Sequence, residues 1–294
     1  MSSPYRTGWL GREATAAWAF LSPALLLLGV FLFWPIGYLL YLSFTSGLFD
    51  QAGPQWVGGR NYLRLVLDPD FRQVLGNTLY FTAATVIPSI LLPLPIAIGL
   101  NQTLPLRGLL RAGYFIPAIA SLVAVGLGFR WIFQQQGPLN QLLMALGGEP
   151  IAWLSSTVWA MPVLIGLSVW KQLGFNMLLF LAGLQAIPQQ RYEAAVLDGA
   201  GALARFWHVT LPGLKSTLVF ATVTTAIFSL RSFEQVYIVT GGGPLNSTNL
   251  MVHYIYQQAF ARFDFGYAAA AAVVLLAMAG ALVYWQLRSW GDAA

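Results

Sequence analysis

Lys171, Arg231 and Glu234 are the residues whose chemistry stands out, because each carries a charge inside a long apolar stretch. A charge at membrane depth is costly, so such a residue faces a partner group or a water-filled cavity. Trp170, Lys171, Gln172 and Asn176 fall in one stretch; Arg231, Ser232, Glu234 and Gln235 fall in another. Charged, amide and aromatic side chains of this kind suit non-covalent handling of a polyhydroxylated solute. Two readings fit. In one, Trp170, Lys171, Asn176, Arg231, Glu234 and Gln235 line a polar pathway. In the other, Arg231 and Glu234 pair as i, i+3 neighbours on one helix, and the remaining charges help the bundle assemble. Lys171 has no acidic neighbour in sequence and is the strongest candidate to face a cavity.

Covalent and metal chemistry find little to work with. There is no cysteine, and the two histidines, His208 and His253, are far apart. No metal-binding or nucleophilic constellation emerges. A nucleotide-binding loop needs a Gly-Lys pair, whereas Lys171 follows Trp170 and Lys215 follows Leu214. The chain is therefore expected not to hydrolyse ATP by that route and not to be an enzyme.

The elements that position these residues are read from hydropathy. The sequence is 57% hydrophobic and 9% charged, against about 25% charged residues in soluble domains, which marks an all-α integral membrane protein. Spanning helices of about 20 apolar residues are expected over 16–42, 76–100, 112–133, 160–184, 215–239 and 265–287 in one domain. Pro88, Pro93 and Pro95 should kink the second span. Residues 43–75 read as a polar loop with short interfacial helices, the second beginning beyond Asp68-Pro69. Ala268–Ala272 in the last span allow close helix packing. Basic residues favour the cytoplasmic side. Arg6 and Arg12 precede the first span, Arg107 and Arg111 stand in the short loop 101–111, and 134–152 has no lysine or arginine. Both termini and the segment 186–214 are thus expected in the cytoplasm. The net charge of +5 reflects this topology rather than nucleic-acid binding.

The segment 186–214, AIPQQRYEAAVLDGAGALARFWHVTLPGL, is a polar island between apolar spans. Pro188 suits a first helical turn. Tyr192, Ala195 and Val196 share one helix face, and Asp198-Gly199-Ala200-Gly201 breaks the run. A second short run places Leu203, Phe206 and Trp207 together, and Leu211-Pro212 redirects the chain. This is an amphipathic helix–turn–helix at the membrane surface, suited to docking.

Glu193-Ala194-Ala195, Asp198-Gly199-Ala200 and Leu211-Pro212 resemble the EAA loop of permease subunits in binding-protein-dependent ABC importers. SFEQVYIVTGGGP, YIYQQAFARFDFGYAAAAAVVLL, LSPALLLLGVFLFWPIGYLLYLSF and NYLRLVLDPDFRQVLGNTLYF resemble the carbohydrate-type group, which imports maltose, glycerol phosphate and related solutes. The likeness covers nearly the whole chain. It implies a six-span, type I importer permease of a bacterial-type inner membrane. Glu193, Ala194, Ala195, Asp198, Gly199, Ala200, Phe206, Leu211 and Pro212 would couple to a cytoplasmic ATPase. The implied partners are a second permease subunit, two ATP-binding subunits that hold ATP and magnesium, an external solute-binding protein and membrane lipid. Gly241, Gly242, Gly243 and Pro244 are then either a contact to the binding protein or a flexible turn. Val209 stands where the family often has isoleucine, and the large outer domain of maltose-type subunits is absent. An ion-gradient-driven transporter is the alternative, but it calls for repeats and buried acids, and Glu234 is the single acid in the spans.

Overall fold

The computed structural model describes residues 7–46, 53–102 and 105–291, with side chains from Thr15 to Arg288. Arg6 and the outermost terminal residues lie outside these. The described chain is helical apart from a two-residue hairpin ladder that pairs Thr45–Ser46 with Gln55–Trp56.

The first span is α1 (Thr7–Leu28), a π-helical turn (Gly29–Phe33) and α2 (Trp34–Ser43). From Thr15 onward none of its side chains is buried until Ser43, and α2 packs along the last helix. The loop after it forms α3 (Arg60–Leu67). Asp68 then caps α4 (Pro69–Leu91), accepting from the Asp70 amide at 2.9 Å. The second interfacial helix expected beyond Asp68-Pro69 is therefore the start of the span itself. Pro69 sits at the first helical position, where its missing N–H costs nothing, and the helix runs on uninterrupted. The span continues past Leu92 as α5 (Pro93–Leu100).

The third span departs from the single helix expected over 112–133. It is α6 (Arg107–Ile119) and α7 (Leu122–Phe133), separated by the extended residues Ala120 and Ser121 and bent by 91°. Hydropathy registers composition and not direction, so the bend left no trace. α8 (Pro138–Ala145) lies in the following loop. The fourth span is α9 (Ala160–Gln185).

The polar island folds as α10 (Gln189–Leu197), α11 (Ala202–Arg205), a π-helical turn (Phe206–Thr210) and α12 (Leu211–Gly213). α13 (Lys215–Leu230) follows at 66° to that path. It stops well short of Val239, the expected end of the fifth span. Arg231, Ser232 and Phe233 leave the helix, and a π-helical turn (Val236–Thr240) begins after them. The outer hairpin contains α14 (Met251–Tyr256) and a further π-helical turn (Gln257–Ala261), before α15 (Phe265–Gly291) forms the last span. Among the described residues, four helices are long and apolar enough to cross a membrane, or six if each bent pair is one span.

Three apolar clusters hold the bundle. Leu94, Ala97, Met177, Phe180, Leu184 and Leu214 join α5, α9 and the start of α13. Phe81, Leu164, Leu167, Val236 and Leu250 join α4, α9 and the outer turn. Leu65, Phe71, Val74, Met251 and Ala270 join α3, α4, α14 and α15. Glycine sets two of the closest approaches. A Cβ on Gly174 would lie 2.2 Å from the Tyr114 carbonyl oxygen, and one on Gly266 would lie 1.9 Å from that of Thr45. α9 meets α6, and α15 meets the first hairpin, backbone to backbone.

Candidate functional site

The helix α10 ends in a Schellman arrangement. Gly199 has φ +77°, its amide donates to the Val196 carbonyl at 3.0 Å, and the Ala200 amide donates to that of Ala195 at 2.8 Å. The φ is one that side chains resist and glycine does not. Pro188 is the N-cap rather than part of the first turn. Tyr192 and Phe206 pack on the core cluster that joins α5, α9 and α13, and Tyr192 Oη lies 3.0 Å from Thr210 Oγ1, closing the two arms of the loop on each other.

Between the arms lies a groove of about 480 Å³, lined by Ala194, Ala195, Asp198, Ala200 and Pro212 of the motif. Arg191, Arg205 and His208 complete its wall. These three were missed by the motif, although their basic character was visible. Glu193 is exposed outside the lining, while Phe206 and Leu211 are half-buried. Leu197 is 87% and Leu203 72% exposed. Apolar side chains left in the open on a polar loop mark a docking face.

The second site is a cavity of about 380 Å³ between the middle of α9 and the end of α13. Ser168, Lys171, Gln172, Phe228, Arg231 and Glu234 line it, together with Gln235. Lys171 Nζ donates to the Ala120 carbonyl at 2.5 Å. That carbonyl belongs to the last turn of α6, where free carbonyls and the helix dipole favour a cation. Gln235 Nε2 donates to Ser168 Oγ at 3.3 Å, which ties the segment after the break to α9.

Arg231 and Glu234 do not form the ion pair expected from i, i+3 spacing. The helix ends between them, so the spacing does not apply, and both line the cavity instead. Among the described residues the ion pair present is Arg64–Asp264, at 3.0 Å. Trp170 stands outside the lining and packs on Phe129, with centroids 5.8 Å apart. Asn176 is fully buried behind the cavity, where it donates to the Ser89 carbonyl at 2.7 Å and to Thr225 Oγ1 at 3.1 Å. Ser168 and Phe228 were missed: neither type is unusual in a span, and only the bend brings them together.

In the segment after α13, Gly241 and Gly242 have φ of +61° and +85°. The turn is pinned rather than loose. Asn77 Nδ2 donates to the Asn246 carbonyl at 2.7 Å, Gln73 Nε2 to that of Leu245 at 3.0 Å, and Thr248 Oγ1 to that of Gly243 at 2.7 Å. Asn249 gives its amide hydrogens to Asn246 and Gln257, so its Oδ1 accepts from His253 Nδ1 at 2.8 Å. Burial holds the His253 imidazole below the ordinary histidine range, leaving it neutral. Nearby, Asp68 Oδ2 accepts from Tyr254 Oη at 2.7 Å and Tyr267 Oη at 2.6 Å. Burial pushes its carboxyl up, but the Tyr267, Tyr254 and backbone hydrogen bonds outweigh this and hold it below the usual range.

The bundle thus carries a polar cavity between α9 and α13 and a grooved helix–turn–helix over residues 189–213. The chain belongs to the family of binding-protein-dependent transport system inner membrane components, which matches residues 80–289. It is 36% identical to the sulfoquinovosyl glycerol transport system permease protein SmoG of Agrobacterium fabrum over 97% of this chain and 94% of that one. It is 39% identical to the lactose transport system permease protein LacF of Rhizobium radiobacter over 92% of each. With the arabinooligosaccharides permease protein AraP of Bacillus subtilis it shares 36% identity over 94% of this chain and 89% of that one. Its fold matches a chain of a bacterial ABC transporter that imports the acidic polysaccharide alginate, with TM-score 0.80, 21% identity and 96% coverage of both. A structure of the alginate transporter with its pentasaccharide-bound periplasmic protein matches with TM-score 0.79 at 22% identity, covering 94% of this chain and 93% of that one. The chain is an inner-membrane permease component of a transport system, not the ATPase, and the ion-gradient alternative is set aside.

Proposed function

We propose that this chain forms, with a second permease subunit, the membrane pathway for a sugar or glycosylated polyol, driven by two ATP-binding subunits. The observation that carries this is connectivity: α9 and α13, which wall the cavity, are the two helices that enter and leave the docking loop. Movement of that loop reaches the cavity through two continuous helices and no flexible linker. Lys171, Arg231, Glu234, Gln172 and Gln235 offer donors and acceptors to hydroxyl groups, and Phe228 offers a ring face. The relatives named for lactose, arabinooligosaccharides and sulfoquinovosyl glycerol support that solute class.

In this reading the groove of α10 receives the ATP-binding subunit, which holds ATP and magnesium, and this chain binds neither. Both termini and residues 186–214 face the cytoplasm. The pinned Gly241–Pro244 turn contacts an external solute-binding protein, a reading supported by the fold shared with a transporter that works with one. ATP-driven closure of the motor draws the loops together, and α9 and α13 tilt to expose the cavity to the outside.

The test is purification of the tagged chain in mild detergent, followed by reconstitution. A co-purifying ATP-binding subunit, lost on mutating Glu193 and Gly199, together with ATP-dependent uptake of lactose or an arabinooligosaccharide, is expected. A chain that purifies alone and moves these sugars on an ion gradient overturns the proposal.

A further inference from the structure

We infer that Asn176 is a positioning residue for transport, which supplies the donor that Pro93 lacks and thereby holds the break of the second span at Leu92. Pro93 has no N–H, so the carbonyl four residues earlier, that of Ser89, loses its helical partner. Asn176 Nδ2 reaches that carbonyl at 2.7 Å from a different helix, and its other hydrogen reaches Thr225 Oγ1 at 3.1 Å. One side chain thus joins α4, α9 and α13. An amide with no exposed surface in this setting is costly unless bonded, and both of its donors are used.

The position along the bundle gives the joint its role. Asn176 lies about 7.5 Å along α9 from Lys171 at the cavity and about 13.5 Å from the helix end at Gln185, where the docking loop begins. It therefore ties the break at Leu92 to both helices that flank the loop. The surroundings are those of a joint that changes partners. Asn176 Oδ1, Ser89 Oγ and Thr85 Oγ1 are buried without hydrogen-bond partners. Such spare acceptors and hydroxyls allow the contact to be remade when the helices shift, at no new desolvation cost.

This inference rests on the importer reading, and its test separates the two. In the complex isolated as above, Asn176→Leu removes the donor while keeping the branched shape and the number of side-chain heavy atoms. Unfolding temperature and binding-protein-stimulated ATPase are read for Asn176→Leu, Pro93→Ala and the double variant. Asn176→Leu is expected to unfold earlier and to lose about tenfold in stimulated rate per complex, the scale of one orphaned buried group. Half-saturation by the binding protein should stay within about twofold, because Asn176 does not line the cavity. In the double variant the restored amide at position 93 satisfies Ser89, so stability returns. The stimulated rate stays low, because the break that the proline imposes is gone.

Equal costs of Asn176→Leu with and without Pro93, or no effect at all, overturn the inference. Should Asn176→Leu fail to assemble, recovery of assembly in the double variant supports it and continued failure overturns it. A wild-type complex with no stimulated ATPase counts against the importer reading instead, and the unfolding comparison still decides the role of Asn176.

Discussion

Substituting Gly174 by alanine tests the central contact of the bundle. The added Cβ would lie 2.2 Å from the Tyr114 carbonyl oxygen and 2.7 Å from Phe115 Cα. Ordinary contact begins near 3.4 Å, so α6 must retreat from α9 by about 1 Å, an overpacking cost of about 1–3 kcal/mol. The retreat has a second effect. Lys171 is one turn from Gly174 on the same face, and its bond to the Ala120 carbonyl is 2.5 Å long. A shift of that size stretches it toward the limit of a hydrogen bond, forfeiting roughly another 1–2 kcal/mol for a charged donor. Gly166, on the same helix, has nothing within 4 Å of its added Cβ and serves as the control, since alanine favours helix by about 1 kcal/mol. The assay is unfolding of the purified chain in mixed micelles titrated with dodecyl sulfate. Gly174→Ala should shift the midpoint strongly downward and Gly166→Ala should not. Equal midpoints for wild type and both variants would refute the close approach of α6 and α9, and with it the account of how Lys171 is held.

Three further outcomes are expected. Lys171→Met keeps the aliphatic stem but loses the charge and the bond to Ala120, so uptake per reconstituted complex should fall about tenfold or more, with assembly intact; unchanged uptake removes Lys171 from the pathway. Gly199→Val places a branched side chain at φ +77°, costing about 1–2 kcal/mol in the left-handed region. ATP hydrolysis should continue without stimulation by the binding protein, and retained stimulation would count against the role of the α10 terminus. Asp68 is held below its ordinary value of 3.8. The native carboxylate therefore stays ionised where the unfolded chain takes up a proton, so its stabilisation is complete above that value and fades as pH drops through the lowered native one. The difference in unfolding midpoint between wild type and Asp68→Asn should shrink over that range, and a constant difference would rule the mechanism out.

The docking loop was the most legible part of the sequence. Its polar island, the Tyr192–Ala195–Val196 face and the glycine break at Gly199 all depend on local spacing, which is what a sequence displays directly. The apolar lengths around α9 and α15 were legible for the same reason. The breaks at Ala120–Ser121 and Arg231–Phe233 were not, because Ala, Ser and Phe are compatible with a spanning helix and the turn is set by what packs around it. That omission produced the Arg231–Glu234 pairing, which assumed a continuous helix. Asn176 was misplaced differently. A polar residue in a span serves either a pathway or a neighbouring backbone, and the proline that claims it stands 83 residues earlier in the chain.

The early stop of α13 has a consequence for what the cavity tolerates. Its 16 residues rise about 24 Å, short of the roughly 30 Å hydrocarbon thickness. At that break the Arg231 and Ser232 amides stay bonded to the Ile227 and Ser229 carbonyls, and Arg231 and Glu234 line the cavity as charged groups. Hydrocarbon cannot solvate such groups; only protein or water can. An acyl chain that drifted into the cavity would find the charged side chains of Lys171, Arg231 and Glu234 and would be expelled. The charges gathered at the kink thus work as a lipid filter, keeping one point of the permease hydrated whichever side the walls open to.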